Sequence, residues 1–286
     1  MYTLLEPVSQ VFKTVLDFLN SFLGNHAWSI ILLTLLFRIC LLPFDLKQKK
    51  SMRLQKEIQP KIDALNKKYA NDKDKLNRKM MELYKESHFN PLSGCLPMLL
   101  QFPIFIAFFG AIRIVSGEEI YGLYESMKNT GNAVVQNWLW IRNIWQPDSF
   151  MAPVIPAFES LKAYASFANV TDYNAVMAGL ISQYEGYYNG WFILPLLAGA
   201  SSFFQTKLTQ PPAQSQPKKD SASPFSGRGM QTIFPIISVW FCATSSAIFS
   251  LYWLTSNVAS IVSHWAMDRF YKRQEEKKKL EGGSTL

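Results

Sequence analysis

No aspartate or glutamate falls within the five longest apolar stretches of this 286-residue chain, at 28–44, 95–115, 191–208, 231–247 and 248–267. A cation buried there lacks the simplest partner it could have. Cysteine is scarce: Cys40, Cys95 and Cys242 each lie inside or at the edge of an apolar run, with no CxxC pair and no ligand cluster. They read as small buried hydrophobes, not as disulfides or metal ligands. Histidine is equally sparse. His26 and His88 sit at segment boundaries, and His264 has neither a carboxylate partner nor a GxSxG context, so nucleophilic catalysis lacks its parts. The chain is read as a non-enzyme that needs no cofactor and no metal. The start lacks the basic region, short apolar core and small-residue cleavage site of a secretory signal peptide, and is read as the true N-terminus.

What is abundant is apolar: 49% of residues are hydrophobic and only 17% charged. Runs long enough to cross about 30 Å of hydrocarbon recur, which places the chain among polytopic all-α membrane proteins. The fourth and fifth stretches are almost continuous, but Thr244-Ser245-Ser246 interrupts them and predicts a tight hairpin. Ahead of the first span, residues 1–27 place Leu4, Leu5, Val8, Val11, Phe12, Val15, Leu16, Leu19 and Phe22 on one side of a helix. Gln10, Lys13, Asp17 and Asn20 fall opposite, the pattern of a helix lying at the membrane interface.

Lysine and arginine set the orientation. Residues 44–89 carry 13 basic and seven acidic side chains, whereas 116–190 carry three basic and seven acidic. Lys207, Lys218, Lys219 and Arg228 mark the 209–230 connection, and the 268–286 tail adds six basic residues. The alternation predicts an N-terminus outside and a C-terminus in the cytoplasm. It also accounts for the net charge of +8, which serves topology and anionic lipid heads, with an RNA-rich ribosome surface as a second attraction.

Within 45–94, Leu54, Ile58, Ile62, Leu65 and Tyr69 form one helical stripe and Leu76, Met80, Leu83 and Tyr84 another, with a turn signal at residues 70–74. This predicts a cytosolic helical hairpin serving as a mobile interaction arm, with Pro60 kinking its first helix.

Arg38 is the most informative residue. It sits six residues before position 44, roughly 9 Å of helix rise from that end. An arginine in hydrocarbon costs about 2.5 to 3.5 kcal/mol on insertion scales, so it must snorkel to the interface or face a water-filled groove. Thr34 one turn earlier, Gln101, Ser201, Ser202, Gln205, Thr244, Ser256 and Asn257 are polar groups that could line such a groove or simply join helices.

Three blocks settle the family reading: ILLTLLFRICLLPFDLKQKKSMRLQKEIQPKI, FNPLSGCLPMLLQFPIFIAFF, and the pairing of QTIFPIISVWF with SLYWLTSN. Together they resemble the YidC/Oxa membrane protein insertases, in particular the shorter bacterial type without a large periplasmic domain. The resemblance implies five transmembrane helices around a hydrophilic groove open to the cytosol and to lipid, in the bacterial inner membrane. It makes Arg38 the groove arginine and adds Gln205 and Trp253 as groove-facing positions. It implies nascent membrane proteins as substrates, admitted by their hydrophilic segments without nucleotide hydrolysis, and the ribosome and Sec translocon as further partners. The 116–190 segment, with Trp138, Trp140 and Trp145, is long for that type and receives no function. A small-solute transporter or channel is the alternative, but no paired repeat supports it.

Overall fold

The computed structural model describes residues 2–90, 96–209 and 227–282. Its helices are α1 (Tyr2–Leu23), α2 (His26–Lys68), α3 (Lys73–Glu86), α4 (Leu96–Thr130), the short α5 (Phe158–Leu161), α6 (Tyr173–Gln183), α7 (Ile193–Thr209), α8 (Gly227–Thr244) and α9 (Ala247–Gly282). Among the described residues no strand forms, and pairing is confined to the isolated bridges Trp138 with Ile141 and Pro153 with Tyr188. Cys95, most of the 209–230 connection and residues 283–286 lie outside the described residues.

Three helices outrun the segments read from the sequence. Helix α2 passes unbroken through Pro43 and Pro60 and joins the first span to the first arm of the hairpin. A proline removes one backbone hydrogen bond, and the surrounding Leu, Lys, Gln and Glu favour helix strongly enough to carry it on. Helix α4 continues to Thr130 and α9 to Gly282, taking in residues read as connection and tail. By length and composition one described helix, α2, is long and apolar enough to cross a membrane, and Thr232–Thr244 of α8 is a shorter apolar one.

The chain divides into two compact units. The first comprises Met1–Leu36, Phe102–Ser201 and Pro235–Ser256. Its core gathers Leu16 of α1, Ile30 of α2, Phe108 and Ile112 of α4, Leu194 and Ala198 of α7, Cys242 of α8, and Phe249 and Tyr252 of α9. Helix α1 packs closely: a Cβ on Gly110 would stand 2.6 Å from Oγ of Ser9, and Phe12 meets Phe108 edge-on at 5.2 Å. Its apolar stripe is therefore divided, with Phe12 and Leu16 inward and Val11, Val15, Phe18 and Phe22 exposed. On the polar side Lys13 bridges Asp17 at 2.8 Å and Glu118 of α4 at 2.9 Å.

The 131–192 segment holds the helix ends of this unit together. Four N–H groups at each helix start have no partner within the helix. Here Ala247 donates to the Gln146 carbonyl at 2.9 Å and Ile248 to that of Ile144 at 3.1 Å, closing the start of α9. His26 at the head of α2 donates to Oε1 of Gln136, and Asn25 reaches the Asn137 carbonyl. Asp148 caps α7, accepting from the backbones of Trp191, Phe192 and Leu194. One stretch of chain, 136–148, thus satisfies donors at the head of three helices.

At the C-terminal end of α4 the Lys128 ammonium bridges Asp172 at 2.9 Å, and the Tyr124 hydroxyl donates to the same carboxylate. The Tyr124 hydroxyl, then Lys128, holds the Asp172 carboxyl below its ordinary 3.8. Asp172, then Tyr124, holds the Lys128 ammonium above its ordinary 10.5. The carboxylate's contribution is present above 3.8 and disappears as pH falls through its lowered native value; the ammonium's is present below 10.5 and disappears as pH rises through its raised one. The difference in melting temperature between the parent and Asp172→Asn should be steady near about pH 7 and shrink as pH falls below 3.8.

The second unit comprises Phe37–Gln101, Ser202–Phe234 and Asn257–Leu286. Ile58 and Ile62 of α2 bury against Leu83 of α3 and against Phe89, flanked by Leu54, Leu65, Met80 and Tyr84. Asp72 caps α3 by accepting from the Lys75 backbone at 3.0 Å, which turns the chain where α2 ends.

Candidate functional site

In the second unit Arg38 is half-buried in the apolar part of α2. Its charge reaches Asp45, two turns further along the same helix. Burial pushes the Asp45 carboxyl above its ordinary value, and Arg38 opposes that rise. The sequence reading ended the span at residue 44 and so left Arg38 without a carboxylate. Helical side chains lean towards the N-terminus, however, so a residue just past a boundary covers the turn before it. Asp45 thereby becomes an electrostatic neighbour of Arg38.

A second ionic centre stands midway along α2 and α9. Lys49 is buried and bridges Asp268 at 2.9 Å. Burial works against the Asp268 charge, but the hydrogen bond from Lys49 and the charges of Lys49, Arg53 and Lys56 hold its carboxyl below the ordinary value. Arg53 stacks over Tyr271, 4.3 Å from the ring centre. His264 lies buried where the charges of Lys49, Asp268 and Arg38 all reach it. The sequence signal for this centre was a lysine and an aspartate each just beyond an apolar stretch, at the depth where basic residues had been assigned to topology alone.

Of the polar lining candidates in this unit, Asn257 and Ser202 meet: the Asn257 amide donates to Oγ of Ser202 at 2.9 Å, with both side chains buried. The Ser202 carbonyl also accepts from the Thr206 hydroxyl at 2.6 Å. Gln205 is half-buried on α7, and the side chain of Gln101 lies outside the described residues.

Thr34, Trp253 and Ser256 belong to the first unit. The Thr34 hydroxyl donates to the Ile30 carbonyl at 2.6 Å, so its hydrogen is used within α2. Trp253 is half-buried against Phe105 and Phe249, with ring centres at 5.6 and 5.8 Å. Ser256 is buried on α9. Ser201 and Thr244 turn their hydroxyls to carbonyls of their own helices.

Two residues depart from the sequence reading. Cys40 is exposed, beside the outward-facing Leu36 and Ile39. That placement keeps it in apolar surroundings only if lipid supplies them. Arg113, a second arginine within an expected span, lies near that span's C-terminal end, where it donates to the Ala163 carbonyl at 3.1 Å and rests over Tyr164. Its exposed position in a polar cradle separates it from the buried case of Arg38.

Helices with outward apolar faces, and a half-buried arginine among them, define a helical membrane protein with charge held inside its apolar layer. Residues 18–276 match the profile of the 60Kd inner membrane protein family. The chain is 31% identical over 267 residues to the membrane protein insertase YidC of Fusobacterium nucleatum, covering 93% of this chain and 95% of that one. It is 30% identical over 264 residues to the insertase YidC of Campylobacter jejuni, covering 92% of this chain but 38% of that one. With the YidC of Francisella philomiragia the identity is 29% over 276 residues, again 38% of the relative's length. This chain belongs to the 60Kd inner membrane protein family, the YidC/Oxa family, and to the bacterial membrane.

Proposed function

We infer that the chain is a membrane protein insertase. It takes hydrophilic segments of nascent membrane proteins into a polar intramembrane groove and releases their apolar helices into the bilayer. Arg38 carries this reading: a half-buried guanidinium in an apolar helix stabilises an acidic or polar segment that has lost part of its hydration. Substrate contacts are proposed at Arg38, Gln101, Ser202, Gln205 and Asn257 in one unit and at Thr34, Trp253 and Ser256 in the other. Five transmembrane helices, an N-terminus outside and a C-terminus in the cytoplasm complete the proposal. The exposed face of α1 lies in the interface, and the α2–α3 hairpin stands in the cytosol. The ribosome and the Sec translocon are proposed partners, drawn by the basic connections. No observation favours a small-solute transporter or channel.

A photoreactive benzoylphenylalanine in place of Gln205 or of Trp253, in full-length protein exposed to ribosome-stalled nascent chains, tests it. Adducts with the hydrophilic flank of the nascent chain are expected from both positions. Adducts confined to lipid would overturn the groove.

A further inference from the structure

The 131–192 segment, most of it within the 116–190 stretch that carries no functional motif, caps three helices, and that role explains only its interior. Asp148, Asn143 and Asn189 are buried and bonded inward to backbone groups. Around these buried groups several large apolar side chains point outward. Leu139, Phe150, Met151, Tyr188 and Trp191 are all more than half exposed, Met151 at 82%.

These side chains are neighbours held by the backbone. The Asn189 N–H donates to the Ala152 carbonyl and the Gly190 N–H to that of Ser149, with Pro153 bridged to Tyr188. This ties the Phe150-Met151 turn to the Tyr188–Trp191 stretch, and Phe150 meets Phe192 at 6.0 Å.

We propose that this knot is a membrane anchor, its exposed aromatic and apolar side chains seated in the phospholipid headgroup layer at the heads of α2 and α7. Three observations favour lipid over water or another protein. Trp191 runs directly into α7, whose Ile193, Leu196 and Leu197 continue the exposed apolar surface down an apolar helix. Trp138 of the same knot meets Trp28, near the start of the apolar part of α2, at 5.5 Å. The charged side chains between residues 132 and 153 are Asp148, which is buried, and Arg142, which is exposed and stacked 4.5 Å over Tyr187. That stretch therefore offers lipid phosphate a cation and no anion, while the exposed Glu185 precedes the Tyr188–Trp191 stretch by three residues. Aromatic rings with polar edges, apolar neighbours and a lone cation are the chemistry that the water–hydrocarbon boundary selects. The proposal rests on membrane residence and stands whether or not the chain is an insertase.

Hydroxyl-radical footprinting of the full chain in phospholipid nanodiscs, where both faces meet water, provides the test. Met81 on α3, 56% exposed, is the internal reference. Although Met151 is the more exposed of the two within the protein, it should oxidise about fivefold more slowly than Met81, because lipid excludes water from it. In parallel, a phospholipid carrying a diazirine near the top of its acyl chain should label Met151, Tyr188 or Trp191. Oxidation of Met151 as fast as that of Met81 would overturn the anchor. Protection of Met151 without lipid adducts would overturn it too, by showing that protein covers the patch.

Discussion

Asp148→Ala is expected to lower the stability of the folded chain more than any other single change in the 131–192 segment. The carboxylate is wholly buried. Its Oδ1 accepts from the backbones of Trp191 at 2.8 Å and Phe192 at 3.2 Å, and its Oδ2 from Leu194 at 2.7 Å and the Trp140 indole at 3.3 Å. Alanine leaves those four donors facing one another without water to replace the acceptor. Hydrogen bonds to a charged group contribute about 1.5 to 3 kcal/mol each, and because the four share one group the loss should be on the order of 4 kcal/mol. For a chain of this size that corresponds to about a 10 °C fall in melting temperature, measured by tryptophan fluorescence in lipid–detergent micelles. Trp140→Phe removes one of the four and should cost about 1 kcal/mol. Gly190→Ala should act in the same direction with a smaller loss, since a Cβ at that position would stand 2.0 Å from Oδ1 of Asp148 and displace it without removing it. A melting temperature of Asp148→Ala within about 2 °C of the parent would show that the donors find other partners.

That arrangement could not be read from the sequence. The apolar stretches announce themselves by composition, and the stripes on either side of residue 70 by their spacing. The break at Thr244-Ser245-Ser246 is equally local, and α8 ends at Thr244 with α9 starting at Ala247. Capping across long separations carries no periodicity: Asp148 lies some 45 residues from the helix it caps, and Gln136 and Gln146 serve helix starts about 110 and 100 residues away. An aspartate among tryptophans looks like surface decoration until folding brings orphaned N–H groups to it. Local signals placed the helices, and what they missed was the chain that closes their ends.

The candidate site shows the same division. Arg38 stands out because an arginine in an apolar run violates the composition around it. Asp45 does not, because it lies in a stretch already full of charge, and its relevance depends on which way a helical side chain leans. Lys49 and Asp268 were hidden in the same way: each belongs by composition to a basic connection, and only the folded chain brings them to 2.9 Å. Asn257 and Ser202 were both selected as polar residues in apolar stretches, but their mutual hydrogen bond was beyond reach of spacing arguments, since 55 residues separate them.

Arg38→Ala should slow insertion of one-span substrates with acidic flanks by on the order of tenfold in reconstituted vesicles, measured by protease protection of the translocated flank. The size follows from electrostatics: a cation and an acidic group about 6 Å apart attract by about 3 kcal/mol at the effective dielectric of a protein boundary, and part of that is regained from water in the variant. Arg38→Lys keeps the charge and should stay within about threefold of the parent, whereas Arg38→Gln, which keeps only hydrogen bonding, should fall near alanine. Stability should change little: losing a half-buried guanidinium relieves a desolvation cost, while Asp45 loses the charge that opposes its burial. Asp45 supplies an independent reading of the same charge. Without Arg38 to oppose it, burial should push the Asp45 carboxyl further up, which carboxyl infrared titration can follow. If insertion slows while stability changes little and Asp45 titrates higher, the lost function belongs to the charge and not to a damaged fold. If Arg38→Ala, Arg38→Lys and the parent insert equally, the electrostatic role proposed for Arg38 fails.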